Sequence, residues 1–424
     1  MNLLEKAAAN QLKKTGEKKK LSVRGQVDDK YDVYKIPLEY LYYNDHNGRI
    51  NTIYKKYSSS NGLLDPEPGN SEYNEIFETF IIDSNKQAMK DTKQSIKNKT
   101  QQEPGVVLPD GRIIDGNRRF TALRMIKKET GINQEFNAVI LPLDANSKCD
   151  EKIIKELELD LQLGREERIS YDPIDRIFDV YNTIKVQELM SDEEYKVASG
   201  AKSTKGINRD IRLAELILDF IKIVSPGGNS IDKFYLARDL KLDGPIEEIE
   251  NTISKSNSKD SVAIKQAALV YLAVSKTIEN QNDSTRIMRD LKKNILKNDE
   301  LADYFLKASD DKVDVLMDAF EDYPIQSASD LKILVENNEE VQKHANALME
   351  STNRIIIKGK KESERRKALI ELKDIRDNLS DICPDDFLEL SIDENLEARS
   401  TISHIKDILH RLEKGIGLCH SQKK

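Results

Sequence analysis

The chain has 424 residues, enough for about two or three domains of ordinary size. One third of the residues are charged (33%), the net charge is −8 and the mean hydropathy is −0.62, a balance that describes a water-soluble, cytoplasmic protein and excludes a polycation that coats nucleic acid by bulk charge. No apolar run approaches the roughly 20 residues of a membrane span. Three scattered cysteines (Cys149, Cys383, Cys419) give no disulfide framework, and the five histidines lack the spacing of a structural metal site.

Residues 1–30 open with "MNLLEKAAANQLKKTGEKKK", which has no signal-peptide pattern and reads as a flexible arm: a short amphipathic helix, then a basic tether. Residues 31–150 read as mixed α and β. A short strand covers Val33–Ile36 and ends at Pro37. "NEIFETFIID" and "DTKQSIKNKT" read as helices. "GVVLPDGRIIDG" is a pair of β-branched runs joined by a turn at Pro109–Gly111, a hairpin signal. A helix over "FTALRMIKKE" follows, with Ala122, Leu123 and Ile126 on one face, and then a strand over "FNAVILPLD".

The junction between that hairpin and that helix, "IIDGNRRFTALR", carries the first chemical signal. Gly116 allows a sharp strand-to-helix turn. The amides of Asn117–Arg119 would then open a helix N-terminus, which favours an anion. Arg118 and Arg119 add planar donors suited to phosphate, and Thr121 could add a hydroxyl. A Mg²⁺ bridging to phosphate would explain the acid at Asp115. The competing reading is a plain helix start, capped by Asp115 or Asn117, with solvated arginines. Cations in a first helical turn are opposed by the helix dipole, and a bound anion would relieve that conflict.

From residue 151 the pattern turns helical, through "DEKIIKELELDLQLG" and "DPIDRIFDVYNTIKVQELM", with Pro173 suited to a first turn. "SDEEYKVASGAKSTKGINRDIRLAELI" has the shape of a helix-turn-helix: a capping box at Ser191 and Glu194, a small-residue turn, and a second helix. That second helix and the turn before it display Lys202, Ser203, Thr204, Lys205, Asn208, Arg209 and Arg212, a mixture of cations for phosphate and short polar groups for base edges. The plainer reading is a helical hairpin with a solvated basic face. "SPGGNS" (225–230) reads as a linker. Residues 231–424 read as helical and polar. Two late heptad stretches (Ala368, Leu372, Ile375, Leu379, Ile382 and Ala398, Ile402, Ile405, Leu409, Leu412), separated by Pro384, suggest a helical hairpin or an intersubunit coiled coil.

"IDGNRRFTALR" resembles the G-x-R-R-x-x-A segment of the ParB/sulfiredoxin-like superfamily. Asn117 stands where sulfiredoxins carry a reactive cysteine, so reductase chemistry is not expected. Two further segments agree in order. "IPLEYLYYNDHNGRI" resembles the opening segment of that domain, with Asn47 and Arg49 at its Asn and Arg. "ELDLQLGREERISYDPIDRI" resembles the E-N-x-Q-R-x-x-L-x-P-x-E segment, with Asp160, Gln162 and Arg165 at its Asn, Gln and Arg, and Glu158 loosely at its Glu. The segment at 191–216 resembles the helix-turn-helix that follows in ParB proteins.

The resemblance implies an α+β fold: a ParB/sulfiredoxin-like N-terminal domain (31–150), then a helix-turn-helix domain (151–224) and an all-α C-terminal region (231–424) with a coiled-coil-like hairpin. It implies a nucleotide (CTP or ATP) on Asn47, Arg49, Gly116–Arg119, Thr121, Gln162 and Arg165, with Mg²⁺ near Asp115, Asp160 or Glu158. Asn117 replaces the glutamate that ParB proteins usually carry there, so either Asp115 takes over its role or turnover is slow; as an enzyme the chain would use Asp115 and Glu158 as its catalytic carboxylates. The function implied is nucleotide-gated DNA binding, in mobile-element maintenance or phage defence, with self-association or a partner protein at the C-terminal helices. The alternatives are a ParB-fold nuclease or phosphotransferase, and a nucleotide-sensing adaptor acting through the helical half.

Overall fold

A computed structural model of the chain describes residues 1–26, 29–48, 50–163, 172–253, 260–277, 284–380, 382, 387 and 390–421. These divide into two compact units, Met1–Ile357 and Lys358–Lys424.

The first unit begins with helix α1 (Leu3–Ala8) and strand β1 (Lys13–Lys20), followed by β2 (Lys30–Pro37), β3 (Tyr42–Tyr43), α2 (Asn51–Asn61), α3 (Ser71–Ser84) and α4 (Lys86–Lys99). Then come β4 (Gly105–Val107), β5 (Arg112–Asp115), α5 (Asn117–Thr130), β6 (Glu135–Ile140) and α6 (Lys148–Leu163). The six strands form one mixed sheet in the order β1-β2-β6-β4-β5-β3. β4 and β5 pair antiparallel, as the hairpin signal requires. Their turn closes through Gly111 N–H on Leu108 O at 3.0 Å, and Gly111 has φ +99° against the Tyr40 carbonyl, where no side chain would fit.

Alternation along the strands sends residues to two cores. Ile36, Val107, Ile113 and Phe136 join Tyr43, Phe77 and Phe120 on the face covered by α1–α5. Val33, Val106, Ile114 and Val139 point the other way and meet Leu157 of α6. A sheet covered on both faces explains why its central strands are apolar runs rather than clean alternations.

The expectation of a flexible N-terminal arm does not hold. Leu3 is fully buried, Leu12 and Leu21 nearly so, and β1 adds to the sheet edge beside β2. The strand was hard to read because its outward residues are lysines. Lys19 alone among them is buried.

Beyond the sheet the chain is helical: α7 (Pro173–Tyr181), α8 (Asp192–Ser199), α9 (Lys205–Val224), α10 (Tyr235–Asp239), α11 (Asp243–Ile253), α12 (Ser261–Ser275), α13 (Ser284–Leu291), α14 (Asp299–Asp322), α15 (Ala328–Asn337), α16 (Glu339–Ser380) and α17 (Ile392–Ser421). The "SPGGNS" loop was expected to separate domains. Instead, Ile177 and Phe178 of α7 and Phe220 and Ile221 of α9 share a single core with Phe234, Leu272, Phe305 and Leu348 from beyond it. The Lys233 ammonium closes the loop, donating to the carbonyls of Ser225 at 2.8 Å and Gly227 at 2.7 Å. α12 is apolar almost all round, as a helix at the centre of such a core must be.

The second unit holds the end of α16 and α17. Of its heptad positions, Leu372, Ala398 and Ile405 are half-buried, while Ile375, Leu379, Ile382, Ile402, Leu409 and Leu412 are exposed, so among the described residues the seam is only partly covered. The Ala368 side chain lies outside them.

Leu3→Ala tests the altered view of the N-terminus. A core leucine costs about 2–5 kcal/mol when truncated, whereas a leucine on a loose arm costs nothing. A clear drop in the urea unfolding midpoint is expected, and an unchanged midpoint would return residues 1–20 to an arm.

Candidate functional site: a cleft between the sheet and the helical core

β5 ends at Asp115, and Gly116 turns the chain into α5 with a left-handed φ of +102°. A Cβ there would lie 2.8 Å from the Phe136 ring and 3.3 Å from the Arg119 guanidinium, so glycine is required by both conformation and space. α5 then starts at Asn117 with no acid in its first turn.

The conflict between Arg119 and the helix dipole is partly relieved within the chain. Arg119 Nη2 donates to Asp115 Oδ2 at 2.9 Å, and Lys19 Nζ lies 3.4 Å from the same oxygen. Lys19 also donates to the Pro104 carbonyl at 2.5 Å, which fixes it beneath the carboxylate. Asp115 is thus a counter-ion for two cations. The Asn117 Oδ1 atom, beside the arginines, is buried with no hydrogen-bond partner within the protein.

These residues line a cleft of about 560 Å³, within the usual range for small-molecule sites. Three separate stretches meet there as the sequence suggested: Asn47, Asp115–Arg119 and Gln162. Arg49 and Arg165 lie outside the described residues. Thr121 is not in the cleft. It is fully buried, its hydroxyl 2.7 Å from the Tyr43 hydroxyl and donating to the Asn117 carbonyl at 2.9 Å. Asp160 is exposed on the outside of α6.

Glu158 is itself buried and lines a second, small pocket of about 70 Å³, not the cleft. Its carboxyl accepts from Gln162 Nε2 at 3.0 Å and pairs with Lys155 at 3.6 Å. Burial raises its pKa against the pull of Lys155. Burial also pulls Lys155 down, yet Asp179 and Glu158 together hold its pKa above the ordinary value. The Lys155–Asp179 pair (2.6 Å) ties α6 to α7, and Tyr195 of α8 donates to the same aspartate at 3.0 Å. Glu158 belongs to that brace and does not face the arginines.

Sequence reasoning missed the opposite wall. Asp172 at the start of α7, Asp175 within it and Arg238 of α10 also line the cleft. Arg238 Nη1 donates to Asp175 Oδ2 at 2.8 Å, and its Nε lies 3.6 Å from Asp172 Oδ2. Thr52 of α2 donates to the other Asp175 oxygen. Asp175 is 1% exposed, and burial pushes its pKa up to about 7 despite Arg238 and Thr52, which favour the charged form. Arg118, Arg119 and Arg238 thus share the cleft with Asp91, Glu103, Asp115, Asp172 and Asp175, so its charge is mixed. Among the described residues no cluster of three His, Cys, Asp or Glu side chains is arranged to hold a metal. With Asp115 taken up by two cations, the described side chains do not by themselves form a cage for a divalent cation.

The expected DNA-binding segment forms two helices with the turn between them. Ser191 and Glu194 make the capping box that starts α8, and Gly200 ends it in the left-handed conformation. Lys202, Ser203 and Lys205 are exposed, and Thr204 and Asn208 are half-buried. The arginines also reach the surface, but they are paired there: Arg209 donates to Glu247 at 2.9 Å and Arg212 to Glu250 at 2.5 Å, both on α11. α9 is an inner helix of the core along most of its length, which sequence periodicity alone did not reveal.

No protein-family model, curated protein or solved structure matches the chain.

The pKa of Asp175 has a consequence for stability. A carboxyl raised from 3.8 to about 7 in the folded state keeps its proton where the unfolded chain has released it. Stability therefore falls as pH rises from about 4 to 7 and levels off above that window. Measured as the difference from an Asp175→Asn protein, the loss is expected to reach at most about 4 kcal/mol. Urea unfolding of both proteins across pH 4–8 checks this; a difference that does not vary with pH contradicts it.

Proposed function

We propose that the chain is a ParB-like nucleotide-binding protein that acts on DNA, with the nucleotide phosphates held in the cleft at Gly116–Arg119. One observation carries this reading: Asn47, the glycine-arginine turn and Gln162, far apart in sequence, converge on one cavity of nucleotide size. The N-terminal amides of α5 and the guanidiniums of Arg118 and Arg119 are donors matched to phosphate oxygens. The carboxylates opposite favour a phosphate that arrives with Mg²⁺, and they offer acceptors for ribose hydroxyls or a base amino group.

On the DNA side, the exposed turn at Lys202–Lys205 supports contact with phosphates. Arg209 and Arg212 would contribute only if released from Glu247 and Glu250. That engagement favours a second reading, in which the cleft senses a nucleotide and the exposed apolar positions of α16 and α17 engage a protein.

Thermal denaturation with ATP, CTP, GTP and UTP, each with Mg²⁺, tests the first part. A ligand at 100 times its dissociation constant adds about 2.7 kcal/mol to stability, and Arg118→Ala is expected to remove the shift. An undiminished shift in that variant would refute the phosphate grip. For the second part, Lys202→Ala/Lys205→Ala should weaken binding to duplex DNA. It should also lower the slope of log K against log salt by about 2, near 0.9 for each lost phosphate contact. Wild-type protein with no salt-dependent DNA binding favours the adaptor reading.

A further inference from the structure

The motifs of the sheet domain account for one wall of the cleft. The other wall comes from the helical core, and among the described residues its cation in the cleft lining is Arg238. We propose that Arg238 is a third anion-binding arginine of this site, held at rest by Asp175 and taken over by the ligand's phosphate when it binds. The inference rests on the nucleotide reading of the cleft and adds to it a residue on the far side of the "SPGGNS" loop.

Geometry is the first support. Arg238 is partly open to the cleft, with its side chain 25% exposed, while its partner Asp175 is closed in at 2%. Its donors are divided between Asp175 at 2.8 Å, Asp172 at 3.6 Å and the Thr52 hydroxyl at 3.5 Å. Several long contacts and one short one leave a guanidinium that can re-pair without leaving its place. A phosphate would offer it two oxygens in one plane.

The second support is that Asp175 can give the arginine up. The charged groups near it are Arg238 from α10 and, on its own segment, Asp172 and Asp179. Lys55 of α2 turns instead to Asp232 at 2.8 Å, and Arg176 to Asp210 of α9 at 3.0 Å. With Arg238 withdrawn, no other cation among the described residues holds the buried carboxylate charged, and Thr52 can accept its proton as a hydrogen bond instead. Ligand binding then takes up a proton from solvent near neutral pH, so the charge gained at the phosphate is balanced at Asp175.

The placement also carries a mechanical consequence. α10 is already fixed to α2 by Lys56 and Asp239, with Lys55 and Asp232 alongside. A ligand spanning Arg118 and Arg238 would bind the start of α5 and α10 at once. Occupancy of the cleft would be felt directly by the helical core that contains α9.

Isothermal titration of the full-length chain with ATP, CTP and inorganic tripolyphosphate, each with Mg²⁺, tests this. Arg238→Gln alone would strand Asp175, so the comparison is made in the Asp175→Asn background, with thermal melts to verify folding. Asp175→Asn is expected to bind tripolyphosphate more tightly than wild type, because its competing carboxylate is gone. Asp175→Asn/Arg238→Gln should then bind about tenfold or more weakly than Asp175→Asn, the value of a lost charged hydrogen bond. Wild-type binding at pH 7.5 should take up a proton, seen as a heat that varies with buffer ionisation enthalpy, and Asp175→Asn should not. Equal affinities for the single and double variants overturn the assignment of Arg238 while leaving the nucleotide reading intact. If wild type binds none of the three probes, the nucleotide reading fails and this inference with it.

Discussion

One carboxylate organises the start of α5. Asp115 accepts two cations from different directions, Arg119 from the helix that follows it and Lys19 from the edge strand β1. The pairing sets the direction of the Arg119 side chain, holds β1 against the sheet and leaves the helix N-terminus open. Gly116 makes it possible, since only a left-handed residue without a side chain turns the strand so sharply beside Phe136. The wall of the cleft is built outward from these few atoms.

The helical half is joined to that wall by charge and packed by apolar contact. α7 contributes to both: Ile177 and Phe178 enter the large helical core, while Asp175 faces the cleft and Asp179 braces α6. Buried ion pairs of this kind add little net stability, because desolvation offsets most of their attraction, but they fix which elements face one another. The pairs from Arg209 and Arg212 to α11 help orient α9, and they tie to carboxylates two surface guanidiniums that a groove-reading helix would present to phosphate.

Much of the site's sheet side was legible in the sequence because it depends on local rules. The β4–β5 hairpin followed from a Pro-Asp-Gly turn between β-branched runs, and the sharp entry to α5 from a glycine before two arginines. The rest depends on contacts between distant segments. Nothing near Arg238 or Asp175 marks them as neighbours, since 63 positions separate them, one in the five-residue α10 and the other in the amphipathic α7. The "SPGGNS" loop looked like a linker by composition, yet the helices on either side bury one continuous apolar surface. β1 lacked any hydrophobic alternation because its only inward lysine reaches a carboxylate, not an oily core. Thr121 and Glu158 matched a motif by spacing but point into packed interior, a matter of helix phase that spacing did not resolve.

The two margins of the sheet share one property. β1 presents Lys13, Lys14, Lys18 and Lys20 to solvent, with its register broken between Lys14 and Lys18, and β3 at the other margin is only two residues long. Charge and irregularity discourage a further strand on one side, and brevity leaves no template on the other. Copies of this chain crowded together therefore have little means of extending one another's sheet. Both margins are thus poor templates for the added strand by which sheets grow from one molecule to the next.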